Sequence, residues 1–187
     1  EIPDPKVAKS IWVDCYVKAN MKDDVPDDTE VLVVRVHDDY EWNFSGIVYL
    51  FSDGKFWART LDGGSVKADK SIGQTPTKTL NYLDTKVRWD DGKWHEITME
   101  MKFDKGVYDL YIDGKLAITD VPFRNEASKT AGVHGVTVQG SPVYADVYFD
   151  GLKIRTSFNG ESSISKPTTQ IKPDLNYLHY VQNFFDT

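Results

Sequence analysis

The sequence predicts an all-β chain: a two-sheet antiparallel jelly-roll β-sandwich with a short C-terminal helix. Three observations predict it. Apolar residues recur with period two over most of the chain. Five Asp-Gly dipeptides punctuate those runs: Asp53-Gly54, Asp62-Gly63, Asp91-Gly92, Asp113-Gly114 and Asp150-Gly151. Asp-Gly accepts the positive φ that two-residue hairpin turns require, so its recurrence signals antiparallel hairpins. No helical stretch of about 10–15 residues separates the strands, which argues against a parallel α/β sheet.

The elements follow in order. Residues 1–8, with Pro3 and Pro5, read as an extended lead-in. Strands are predicted at 10–19, 30–38, 46–52, 55–60, 95–103, 107–112, 115–119, 133–139, 143–150 and 151–157, with 69–87 as the one long internal loop. Alternation assigns their faces. Ile11, Val13, Cys15 and Val17 oppose Trp12, Asp14, Tyr16 and Lys18. Ile97, Met99, Met101 and Phe103 form a second apolar row, backed by Glu96, Thr98, Glu100 and Lys102. Tyr108, Leu110 and Ile112 face inward, as do Val143, Ala145, Val147 and Phe149. One apolar and one polar face per strand is what a two-sheet sandwich needs. Three regions result: the lead-in at 1–8, a sandwich at 9–157, and 158–187. The last holds a Pro/Ser/Thr-rich strap and then a helix capped by Asp174, with Leu175, Leu178, Val181 and Phe185 near helical spacing.

The run DGKWHEITMEMKFDKGVYDLYIDGKL at 91–116 places Trp94-His95 before an alternating strand, then Tyr108-x-Leu-Tyr-Ile-Asp113-Gly114-Lys. With VYADVYFDGLKI at 143–154, it resembles the concanavalin A-like lectin/glucanase superfamily, which includes laminin-G-like domains and many carbohydrate-binding modules. The resemblance covers about residues 9–157 and speaks for fold more than function. Trp94, His95 and the Asp113-Gly114 pair read as packing and turn residues. The resemblance also implies a structural Ca²⁺ joining the first and last strands, through Asp14 with Asp146 or Asp150.

Signatures of catalysis are sparse. For its glucanase branch the resemblance implies E-x-D-x-E or E-x-D-x-x-E on one strand. The nearest stretch, Glu96 to Glu100, has Thr98 where the Asp should stand, and reads as a solvated strand face. There is no G-x-S-x-G elbow and no phosphate-binding glycine loop. Four scattered His (His37, His95, His134, His179) and one Cys supply no metal-binding spacing. Cys15 reads as a small buried hydrophobe. Asn43-Phe44-Ser45 is a formal N-glycosylation acceptor.

The 187 residues carry 22 Lys+Arg against 29 Asp+Glu, a net charge of −7, with no basic cluster. That argues against a nucleic-acid partner. No apolar run is long enough to span a bilayer. The chain opens at Glu1 without a Met or an apolar leader. We therefore expect a processed chain or excised domain of a larger extracellular or cell-surface protein.

Aromatic residues are 13% of the chain, more than the core rows use. Trp12, Asp14 and Tyr16 share a non-core face, as do Arg35 and His37, near Tyr40 and Trp42. Trp57 projects with Arg59, with Tyr49 opposite, and Tyr144, Asp146 and Tyr148 alternate away from the core. Aromatic rings stack on the C–H faces of sugars, while Asp, Arg and His pair with hydroxyls. The leading expectation is therefore a non-catalytic, polysaccharide-binding module using Trp57, Arg59, Arg35, His37, Tyr49, Trp42 and Tyr148. Trp57 would be the stacking platform, and Arg59 and Arg35 the donors to hydroxyls or a uronic carboxylate. Two alternatives stay open. A polysaccharide lyase acting on a uronate polymer would recruit Arg35, His37, Arg59 and Tyr148, although strand motifs of alginate-lyase families are absent. A laminin-G-like protein-binding adhesion module would instead show an exposed apolar patch or a rim calcium.

Overall fold

The computed structural model describes residues 10–37, 44–60, 82–124, 133 and 135–157. Ten strands run along them: β1 (Ser10–Met21), β2 (Glu30–His37), β3 (Phe44–Phe51), β4 (Lys55–Arg59), β5 (Tyr82–Arg88), β6 (His95–Lys102), β7 (Val107–Ile112), β8 (Lys115–Pro122), β9 (Gly135–Gly140) and β10 (Ala145–Ser157). They form two five-stranded sheets, ordered β10-β1-β6-β7-β8 and β5-β4-β3-β2-β9, and every pairing is antiparallel. Among the described residues there is no helix. The expected lead-in, the Asp62-Gly63 turn, the 158–173 strap and the C-terminal helix lie outside them.

Alternation sorts the faces largely as the sequence predicts. Ile11, Val13, Cys15 and Val17 of β1 meet Ile97, Met99 and Met101 of β6 and Tyr108, Leu110 and Ile112 of β7 in one buried core. Leu32, Val34, Val36, Val48, Leu50, Phe56 and Ala58 supply the facing sheet's half. Burying each large apolar side chain contributes roughly 1.5–3 kcal/mol. One polar atom ties the layers together. The hydroxyl of buried Tyr108 donates within reach of two carbonyls of the opposite sheet, Ile47 O (3.0 Å) and Arg59 O (2.9 Å).

Three expectations are corrected. Val143 is 71% exposed, because it sits in the turn closed by the Tyr144 N–H bond to Ser141 O, before β10 begins. The predicted loop at 69–87 ends in a strand, β5. Its burial does not alternate, and Lys86 takes a positive φ of 62°. The two strands predicted at 143–150 and 151–157 are one. At Asp113-Gly114 both residues have positive φ (51° and 73°), as a type I′ hairpin turn requires. At Asp150-Gly151 only Gly151 does (64°), and the chain bulges and continues as one strand. A side chain at Gly151 would also meet Tyr16, whose Cδ2 lies 2.8 Å from a Cβ placed there.

Candidate functional site

The sheet β5-β4-β3-β2-β9 carries a second apolar cluster on its face away from the core. Val33, Phe44, Ile47, Tyr49, Phe51 and Tyr82 are buried there, with Trp57 packed against them. The ring centroids of Tyr49–Phe51, Tyr49–Tyr82 and Phe51–Tyr82 are 5.5, 5.3 and 5.4 Å apart, within the range of favourable edge and tilted contacts. Phe51 meets Trp57 edge-on at 6.3 Å.

Strand register sets the half-buried polar groups in rows over this floor. Asp84 (β5), Trp57 (β4), Tyr49 (β3), Val33 (β2) and Gln139 (β9) face one another in sequence across the sheet. Next to it Tyr82 faces Arg59 on one side, Ile47, Arg35 and Thr137 face one another on the other, and His37 follows Arg35 along β2. Five of the seven sequence-predicted binding residues, Trp57, Arg59, Arg35, His37 and Tyr49, therefore share one face. Tyr49 is buried in its floor, while the other four are half-buried. Trp42 and the neighbouring Tyr40 lie outside the described residues. Tyr148 is on the other sheet: it pairs with Lys18 of β1, and its ring lies 6.3 Å from that of Trp94 and 5.9 Å from the Lys18 ammonium. The set Arg35, His37, Arg59 and Tyr148 is thus not assembled, because alternation assigns a side chain to a face but not to a sheet.

Each polar group is held. The Trp57 indole N–H donates to Asp53 Oδ2 at 3.0 Å, and the Lys55 ammonium lies 5.7 Å from its ring centroid. Arg59 donates to the Tyr82 hydroxyl (2.8 Å) and stands 5.2 Å over that ring. Arg35 donates to the Gln139 amide oxygen (2.6 Å) and lies 5.4 Å over Phe44. His37 Nε2 is bonded to the Thr137 hydroxyl and packs edge-on against Phe44. Burial opposes ionisation of Asp84, but Lys86 and Lys55 outweigh it and hold the carboxyl at about 2. Burial pushes the Tyr82 phenol up, so it stays a neutral acceptor for Arg59. Sequence reasoning missed Gln139, Thr137, Tyr82 and Asp84. The outward parity of Thr137 and Gln139 between Val136 and Val138 was readable, but that β9 pairs with β2 was not.

The carboxylates considered for calcium do not converge. Asp14 is 4% exposed, takes both Arg155 Nε (2.5 Å) and Nη2 (2.7 Å), and accepts from Thr98 Oγ1 (2.9 Å). Asp146 faces Asn20 and pairs with Lys22 at 3.7 Å; Asp150 faces Tyr16 and accepts from the Gly151 N–H. Asp146 and Asp150 are four residues apart on one strand, about 13 Å at the rise of an extended chain. The donor set does not fit an ion that gathers oxygens at about 2.3–2.6 Å. Among the described residues no group of three or more His, Cys, Asp or Glu side chains could hold a metal. Glu96 and Glu100 are likewise about four extended residues apart, well beyond the roughly 5–9.5 Å of a glycosidase pair. They accept from Tyr16 and Ser10 respectively.

No protein-family model matches the chain, and no curated protein matches it. Solved structures do. A variant of human galectin-16 is 12% identical at a TM-score of 0.52, over 81% of this chain and 91% of that one. A sialidase is 11% identical with a TM-score of 0.47, over 81% of this chain. Domain 4 of an extracellular arabinanase from Geobacillus stearothermophilus, in complex with arabinotriose, is 16% identical with a TM-score of 0.40, over 81% of this chain and 63% of that one. The chain spans 14% of the sialidase's length. What the galectin-16 likeness shows is the fold alone: two antiparallel sheets packed as a β-sandwich.

Proposed function

We propose that the outer face of β2, β3 and β4 binds a carbohydrate, without cleaving it, as one part of a larger extracellular or cell-surface protein. One observation carries the reading: half-buried Trp57, Arg59, Arg35 and His37 share a face over a buried aromatic floor. An indole gives a sugar's C–H face a surface to stack on, and guanidinium and amide groups beside it match hydroxyls. Asp53 holds the ring through its N–H, so little rotamer freedom is lost when a ligand stacks. The aromatic floor fixes the spacing of the polar groups above it.

Titration calorimetry against a panel of soluble polysaccharides and oligosaccharides tests this. At least one should bind, and Trp57→Ala should weaken it about tenfold or more, equivalent to at least ~1.4 kcal/mol. A panel without any heat of binding, or an affinity untouched in Trp57→Ala, would sink the proposal.

A further inference from the structure

Resting on that reading, we propose that this face selects acidic sugars, with Arg35 recognising a carboxylate of the ligand. The observation is how Arg35 is held. Of the described arginines, Arg88 is paired with Asp90 and Arg155 with Asp14. Arg35 instead donates to a neutral amide, Gln139 Oε1 at 2.6 Å, and lies 5.4 Å over the Phe44 ring. Both contacts orient the planar guanidinium, and neither neutralises it. A fork of N–H donors held in place over an aromatic face matches a carboxylate in two parallel bonds.

The register adds a second cation. Arg35 and Arg59 sit on one face, separated by β3. Two strand spacings put their backbones about 10 Å apart, a span on the order of two sugar rings. An oligomer lying across the strands over Ile47 would bring successive acidic groups past both. Glu30, at the start of β2, feels both guanidiniums; burial pushes its carboxyl up, while Arg35 and Arg59 pull it down.

The chain's net charge of −7 opposes this at long range. The local contact wins, because at physiological salt exposed charges are screened over roughly 8 Å, whereas a bidentate pair forms at contact.

Titration calorimetry on the 187-residue chain decides it, using three oligosaccharides of one length: neutral, uronate-bearing and sulphated. The uronate oligomer should bind at least tenfold more tightly than the neutral one. That ratio should fall to within about twofold in Arg35→Gln and stay intermediate in Arg35→Lys, since ammonium keeps the charge but loses the fork. Circular dichroism checks that both variants are folded. Should Arg35→Gln not fold, the salt dependence of the native chain carries the test: raising salt must lower the uronate-to-neutral ratio. Equal affinities in the native chain, an unchanged ratio in folded Arg35→Gln, or a ratio indifferent to salt overturns the inference while leaving glycan binding standing. Tighter binding of the sulphated oligomer than the uronate overturns the carboxylate assignment. Loss of binding to all three overturns glycan binding itself, and the inference with it.

Discussion

Asp14 lies in the middle of β1, on the face turned away from the core, yet it is 4% exposed. Alternation identifies that face as non-core and leaves Trp12, Asp14 and Tyr16 open to a ligand. The structure closes it. Trp12 is 7% exposed, beneath the Arg155 guanidinium at 5.6 Å and beside Tyr111 at 5.6 Å. Arg155 forks onto Asp14 from β10, at a register position (opposite Trp12) that 142 residues of intervening sequence conceal. Desolvating a carboxylate costs several kcal/mol and is offset here by the fork and by Thr98. Arg155→Met would keep most of the volume and leave the Asp14 charge stranded. The expected loss is roughly 2–4 kcal/mol by urea denaturation, below the full cost of breaking a buried pair because Arg155 is about one-third exposed. Restoring neutrality with Asp14→Asn in the same chain should recover part of it. A single Arg155→Met change costing under about 0.5 kcal/mol, within the range of an exposed pair, would refute a buried-charge role.

At the scale of elements, the Asp-Gly dipeptides show how far the sequence can be read. Those at 53–54 and 113–114 make the predicted hairpins, the one at 91–92 leads from β5 into β6 of the other sheet, and 150–151 bulges inside one strand; nothing in the dipeptide itself separates these outcomes. Strand β5 escaped because the residues that bury, Tyr82 and Thr85, are three apart. Two of the turns are also tied together through a side chain. His95, at the start of β6, is 6% exposed, with Nδ1 at 2.8 Å from Asp113 Oδ2 and Nε2 at 3.0 Å from Asp91 Oδ1. Two carboxylate partners ask both ring nitrogens to be donors, which only the imidazolium supplies. Burial among residues such as Phe56, edge-on at 5.4 Å, opposes that charge; Asp113 and Asp91 outweigh it and raise the histidine above its ordinary value. Lys93 also pairs with Asp91, and Asp113 accepts from the Glu96 N–H. The sign follows. A group raised on folding stabilises fully below its unfolded value, about 6.5 for histidine, and loses that contribution as pH rises through the folded value. Melting temperature should therefore decline as pH climbs above about 6.5, by about 2–4 °C per kcal/mol lost in a domain of this size. His95→Gln should remove that segment of the pH profile. A native profile flat across this range, or one unchanged in His95→Gln, would show the clamp is neutral.

Over the whole molecule, the period-two pattern sufficed for the class and for most core rows, because burial on one face of a strand is a local property of the chain. Strand order is not. It arises from pairings between distant segments, and it decides that Arg35, Trp57 and Gln139 share a face while Tyr148 does not. The same pairings make Cys15 a reporter of the global fold. It is fully buried in β1, which is hydrogen-bonded on both sides, to β10 and β6, and it faces the core among Ile97 and its neighbours. Burial pushes its thiol far up, and the nearby Asp14 and Glu96 carboxylates push further, so the reactive thiolate is suppressed while the sandwich holds. No local fraying of a loop uncovers it; the sheets must separate. Labelling by a thiol-specific reagent should then proceed only through global opening. The opening free energy from labelling rates should agree with that from urea unfolding within about 1 kcal/mol, and should fall with urea at the same slope, about 1–3 kcal/mol/M. Fast labelling with little dependence on urea would mean instead that β10 peels from β1 on its own, and that the sandwich's first and last strands are its weakest seam.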